Sequence, residues 1–197
     1  MPLKAILLAL LSVSSALLAA QEARIEEVDK SPVEASFPPG GQLRLDLCSS
    51  GVEVRGIDDH KVRVSYFQEH RAENVRVRLV TEGSRADLRI TGCPHNDFEL
   101  TIEVPRSSDL YLRMFAGDLD VRGITGNKDV ELHAGQLTID IGESADYAHV
   151  DASVNSGELD ATRFDVSKGG LFRSFEHSGP GKYRLHAHVG AGQLELR

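Results

Sequence analysis

From Leu43 to Arg197 almost every segment alternates apolar and polar residues with a period of two, and none holds a sustained helical period. LRLDL (43–47), VEVRG (52–56), KVRVSYF (61–67), VRVRLV (75–80), ADLRI (86–90) and FELTIEV (98–104) all show it. DLYLRM (109–114), DLDVRG (118–123), DVELH (129–133), QLTIDI (136–141), AHVDASV (148–154), KYRLHAHV (182–189) and QLELR (193–197) continue it. Successive side chains point to opposite faces only in an extended strand, so these short alternating runs predict half-buried strands. Gly, Asn, Asp and Ser punctuate them, as turns require. The fold class expected is all-β.

One phrase recurs within that pattern: a small residue, Gly, any residue, Leu or Val, any residue, then an apolar residue or Ala. It appears as SGVEV, AGDLDV, AGQLTI, SGELDA and AGQLEL, with glycines at Gly51, Gly117, Gly135, Gly157 and Gly192. The steps from Gly117 onward are 18, 22 and 35 residues, and the last contains SKGGLFRSFEHSGPG. A unit near twenty residues cannot bury a core alone and is the size of one coil in a stack. The expectation is a single-domain β-solenoid, a right-handed β-helix-like stack with those glycines turning each coil. Its N-terminal half, Ile25 to Pro105, is expected to carry the longer strands, with Pro105 as the joint. The late aromatics Phe164, Phe172, Phe175 and Tyr183 are read as a cap on the open end of the stack, with a partner-binding loop as the other reading.

The first residues, MPLKAILLALLSVSSALLAAQEA, run from one cation, Lys4, through an apolar stretch into small residues. That order predicts a leader over 1–20 with cleavage near Ala20, and a domain over 21–197. Localisation to a periplasm, cell envelope or extracellular space follows, with no membrane span in the mature chain. Net charge is −8, one unit more negative without Lys4, and no dense Lys/Arg tract exists. Nucleic acid and anionic lipid are therefore poor partners. The absence of Trp disfavours an indole platform for sugars but leaves Tyr and polar groups. In an exported chain, Cys48 and Cys93 are expected to form a disulfide.

FPPGGQLRLDLCSSGVEVRGIDDHKVRV (37–64) resembles the bacterial family of exported "putative adhesin" β-solenoid domains. The residues that carry the likeness are Phe37, Gly40 and Gly41, Leu43 to Leu45, the run Ser50 to Gly56, and Asp58 with Asp59. A second stretch matches at Val104-Pro105-Arg106, Leu110, Leu112, Gly117, Val121, Gly123 and Gly126. The resemblance covers nearly all of the mature chain and implies an adhesion or scaffold module with no catalytic residue set.

The polar positions offer several candidate groupings for chemistry. His186 and His188 lie two apart on one strand and share a face, and His133 lies on the same polar parity. They are the candidate metal ligands, with Glu131 or Asp151 as further donors. The competing reading makes them solvent-face residues on separate coils. Asp118, Asp120, Asp140, Glu158 and Asp160 could pair as glycosidase carboxylates, yet the same parity makes them a wet face. Asp58, Asp59, Asn127 and Asp129 could bind calcium or simply form turns. No G-x-S-x-G elbow is present. The expectation is a non-enzymatic module without cofactor, binding a surface protein or polysaccharide. The alternative is a solenoid enzyme or metal-dependent binder acting on an extracellular polymer.

Overall fold

The computed structural model describes residues 24–28, 31–66, 72–94 and 98–197, and the leader read over 1–20 lies outside them. Among the described residues thirteen strands form one sheet, and no helix is long and apolar enough to cross a membrane. Eight strands are short: β1 (Arg24–Val28), β2 (Val33–Ser36), β3 (Gln42–Leu47), β4 (Ser50–Ile57), β5 (Lys61–Tyr66), β6 (Arg76–Glu82), β7 (Arg85–Thr91) and β8 (Glu99–Pro105). Five are long: β9 (Asp109–Arg122), β10 (Lys128–Ile139), β11 (Tyr147–Ala161), β12 (Val166–Ser178) and β13 (Tyr183–Leu196). The expectation of longer N-terminal strands is thus reversed. A long strand is two straight segments joined at a glycine, and its ladder continues through the bend.

The bend divides the sheet into two arms. The first segment of β9 pairs in parallel with β3, and its second segment pairs in parallel with β4. Arm one runs β1-β6-β7-β3 and then through the long strands; arm two runs β2-β5-β8-β4 and joins them at β9. Each pair of short strands therefore makes one rung, equivalent to one long strand. Parallel neighbours ordinarily need a long crossover. Here a rung runs out along one arm and back along the other, so residues 123–127 suffice to start the next.

Inward residues of both arms form one core. Leu112, Val130, Ala187 and Ala152 lie in register in arm one, and Leu119, Leu137, Leu194 and Leu159 in arm two. All eight are buried. Their outward neighbours are mostly Asp, Glu, Arg, His and Gln, with Tyr111 and Ser153 among them, so the alternation in the sequence is the alternation between core and water.

The bends also stack. Gly117, Gly135, Gly192 and Gly157 are in register across β9, β10, β13 and β11, with φ between 125° and 140°. A Cβ on Gly135 would stand 2.0 Å from the Gly117 carbonyl oxygen, and one on Gly157 would stand 1.7 Å from that of Gly192. Each bend thus needs glycine for its dihedral and for the closeness of the rung beneath. Gly51 does not belong to this column. It faces Asp118, has no positive φ, and leaves Ser50 beside Gly117.

Two rungs stand out of chain order. A solenoid wound in sequence would place β11 on β10, but β13 lies between them, parallel to both. Likewise the β3/β4 rung lies between the β7/β8 rung and β9. Cys48 and Cys93 join these two early rungs near their bends, where the glycine column has ended. With the cysteines 45 positions apart in the sequence, the chain-entropy account gives this link about 4 kcal/mol.

SKGGLFRSFEH is no loop. It lies within β12, antiparallel to β11 at one end of the stack. Its positions over the core include Lys168 and Arg173, opposite Leu159 and Val154. Lys168 Nζ donates to the Ser174 carbonyl at 2.9 Å, and Arg173 Nε to the Gly169 carbonyl at 2.8 Å, each crossing from one arm of β12 to the other. Phe164 packs on Phe175 with ring centroids 5.1 Å apart and on His177 at 4.7 Å. Phe172 and Tyr183 take no part in that cluster: Phe172 is 81% exposed, and Tyr183 begins β13 opposite Tyr147.

Candidate functional site

The outer face of arm one carries three rows of side chains across the long strands. Register places Tyr111, Asp129, His186 and Asp151 in one row, and Arg113, Glu131, His188 and Ser153 in the next. Nearest the bend come Phe115, His133, Gly190 and Asn155, each two places before its strand's bend glycine, and Phe172, two places after Gly170 on the antiparallel β12. The face continues over β3 and β7, where Arg89 Nε lies 2.9 Å from Asp46 Oδ2. Two open grooves lie on it. One of about 660 Å³ includes Arg44, Asp87, Arg89 and Tyr111; the other, of about 560 Å³, lies over Phe115, His133, Gly190 and Asn155.

The histidines have separate tasks. His186 Nδ1 lies 3.2 Å from Asp151 Oδ2, and His186 forms with Asp129 and Glu131 a group whose ligand atoms lie within 4.8 Å of one another. Arg113 already serves both carboxylates, at 3.2 Å to Asp129 Oδ1 and 2.9 Å to Glu131 Oε2. A metal bound by these three would displace that guanidinium. His188 is not in the group. The Asn155 amide, 3.4 Å from Nε2, donates there, so Nδ1 of the neutral ring donates to Ser153 Oγ at 2.9 Å. His133 instead stacks on Phe115, with centroids 4.8 Å apart and planes 16° from parallel.

The candidate carboxylates are spread over arm two. Asp118 and Asp120 share a groove of about 390 Å³ with Glu53 and Glu99, while Glu158 and Asp160 lie two strands beyond β10. Asp120 accepts from Arg122, and Arg197 Nη2 lies 3.6 Å from it. The turn residues serve the backbone. Asp109 Oδ1 accepts from the Asn127 amides, and Asn127 Oδ1 accepts from the Arg184 N–H at 2.9 Å. Asp59 accepts from the His60 N–H, and the Arg106 guanidinium holds the Asp58 carboxyl below its usual range.

Sequence reading singled out neither Phe115 nor Asn155 nor Gly190. The signal lay just upstream of the repeated phrase, in FAG, HAG, GAG and NSG, where the aligned residues are Phe115, His133, Gly190 and Asn155. An apolar Phe115 on outward parity, 68% exposed, is the anomaly that alignment isolates.

The chain shares its architecture with a solved bacterial structure, a "putative cell adhesion protein" from Clostridium sporogenes. The TM-score is 0.52 at 13% identity, over 88% of this chain and all of that one. The likeness is one of fold. A "putative adhesin" from Bacteroides fragilis aligns over 87% of this chain and 97% of its own, at 8% identity and a TM-score of 0.36. No family model matches the chain, and no curated protein matches it.

Proposed function

We propose that this chain is an exported, non-enzymatic module of the adhesin type, a short β-solenoid with two rungs inserted out of chain order. It binds a surface protein or polysaccharide in the cell envelope or outside the cell through the outer face of arm one. The observation that carries the reading is the composition of that face. Its polar side chains engage each other across strands, as Arg113 does with Asp129 and Glu131, and together they present broad, open grooves. Such a face recognises by many weak contacts rather than by converging groups on one reacting atom. The cysteine pair and the leader expected over 1–20 support export.

The chain from Gln21 onward, immobilised, is expected to retain purified envelope polysaccharide or matrix protein. A Tyr111→Ala/Arg113→Ala variant is expected to lose at least tenfold in retention at unchanged melting temperature. Retention indifferent to that pair overturns the assignment of the face. The second reading, a metal-dependent binder, draws on the Asp129, Glu131 and His186 group. Zinc held at one equivalent through dialysis and lost in His186→Ala would put that reading first.

A further inference from the structure

The stacked Phe115 and His133 rings begin an aromatic ladder that stops after two strands. Their centroids are 4.8 Å apart, the spacing of neighbouring strands, so a third ring would stand above Gly190. Gly190 offers no side chain and tolerates none, since a Cβ there would lie 2.4 Å from the His133 carbonyl oxygen. The next strand, β11, supplies Asn155. A slot two strand spacings wide, about 9.6 Å, therefore separates the columns of His133 and Asn155. Gly190 and Ala191 form its floor, and it coincides with the groove of about 560 Å³.

We infer that this slot binds one hexose ring of a polysaccharide, an inference that rests on the arm-one face being the binding face. A ring in contact with both walls needs about 3.5–4 Å on each side, which leaves room for a puckered pyranose. The C–H face of a sugar is attracted to the electron-rich face of an aromatic ring, and the ring turned to the slot is His133, backed on its other side by Phe115. Its hydroxyls require donors and acceptors together. The Asn155 amide closes the far side, one N–H turned toward His188 Nε2 at 3.4 Å on the floor strand, and Arg113 and Glu131 lie along the same groove. An aromatic side chain of a peptide would meet that polar wall without satisfying it.

Saturation-transfer NMR and calorimetry of the chain from Gln21, with linear gluco-, manno- and galacto-oligosaccharides, test the slot. N-acetyl-tyrosinamide is the aromatic probe. Binding of at least one oligosaccharide series is expected, weakened at least tenfold by His133→Ala, which removes the aromatic wall, and by Asn155→Trp, which fills the slot from its other wall. Phe172→Ala, exposed in the same row beyond Asn155, is expected to leave it unchanged. Circular dichroism checks that each variant keeps its fold. The slot is overturned if no series binds, if Asn155→Trp binds as the parent does, or if the tyrosinamide alone is held there. Loss on Tyr111→Ala/Arg113→Ala with no effect of Asn155→Trp overturns the slot and leaves the face. Indifference to both sets of variants overturns both.

Discussion

Lys128 enters the core at a position where the strands on either side present Leu110 and Leu185. It is 2% exposed, and its Nζ donates to the Gly126 carbonyl at 3.1 Å and the Tyr147 hydroxyl at 2.7 Å. Burial brings the amine down to about 8, against attraction from Asp140, Asp109 and Asp146, and pushes the Tyr147 hydroxyl up. Below pH 8 the amine is protonated in both states, and the folded chain bears the cost of burying the charge. Between pH 8 and 10 the unfolded chain still holds a proton that the folded chain has released, so stability rises with pH. Above pH 10 Tyr147 reverses the trend, because the unfolded phenol ionises first. Lys128→Met is expected to remove ~2 kcal/mol of this rise, measured as the difference in urea stability between pH 7.5 and 9.5. Equal rises in the two proteins would refute the assignment. The period of two places Lys128 inward, two residues before Val130, but the pattern names no partner for its charge. Tyr147 lies nineteen positions along and arrives only through the stack.

Among elements, β12 is the one whose role the sequence concealed. A strand with core on one side alternates visibly, whereas β12 is exposed along most of both faces, so its 13 residues show no period. Alternation records burial, not extension. As the last strand it faces the general hazard of a free edge, which inward-pointing charges discourage from further pairing. Lys168 and Arg173 supply them, and their hydrogen bonds between the arms close the end of the core. Lys168→Val/Arg173→Val is expected to keep the β-sheet dichroism but to self-associate more than the parent, with sedimentation velocity as the measure. Identical sedimentation of the two proteins up to high concentration would show that the cations do not guard the edge.

Across the whole molecule, every bend in the middle of the stack rests on the backbone of the rung beneath it. Gly135 sits between Gly117 and Gly192, so a side chain there strains its own dihedral and lifts one rung off the next. Gly135→Ala is expected to cost at least ~3 kcal/mol in urea unfolding. Gly51→Ala, whose Cβ would meet Glu99 Cγ at an ordinary 3.6 Å, is expected to cost under ~1 kcal/mol. Equal losses would put Gly51 back in the column. The phrase AGDLDV was enough to locate the bends of β9, β10, β11 and β13 and their inward leucines, because dihedral preference and side-chain parity act within a few residues. It was not enough to order the rungs. AGQLTI and AGQLEL are nearly interchangeable, and either could stack on AGDLDV. The slot at Gly190 follows from that order, since it exists only where β13 brings a glycine between His133 and Asn155. By itself the sequence determined the all-β class, most of the strands, four of the bends and the pairing of the only two cysteines. Which rung touches which, and therefore which side chains share a groove, was decided by tertiary packing, because contacts between distant rungs leave no trace in a local repeat.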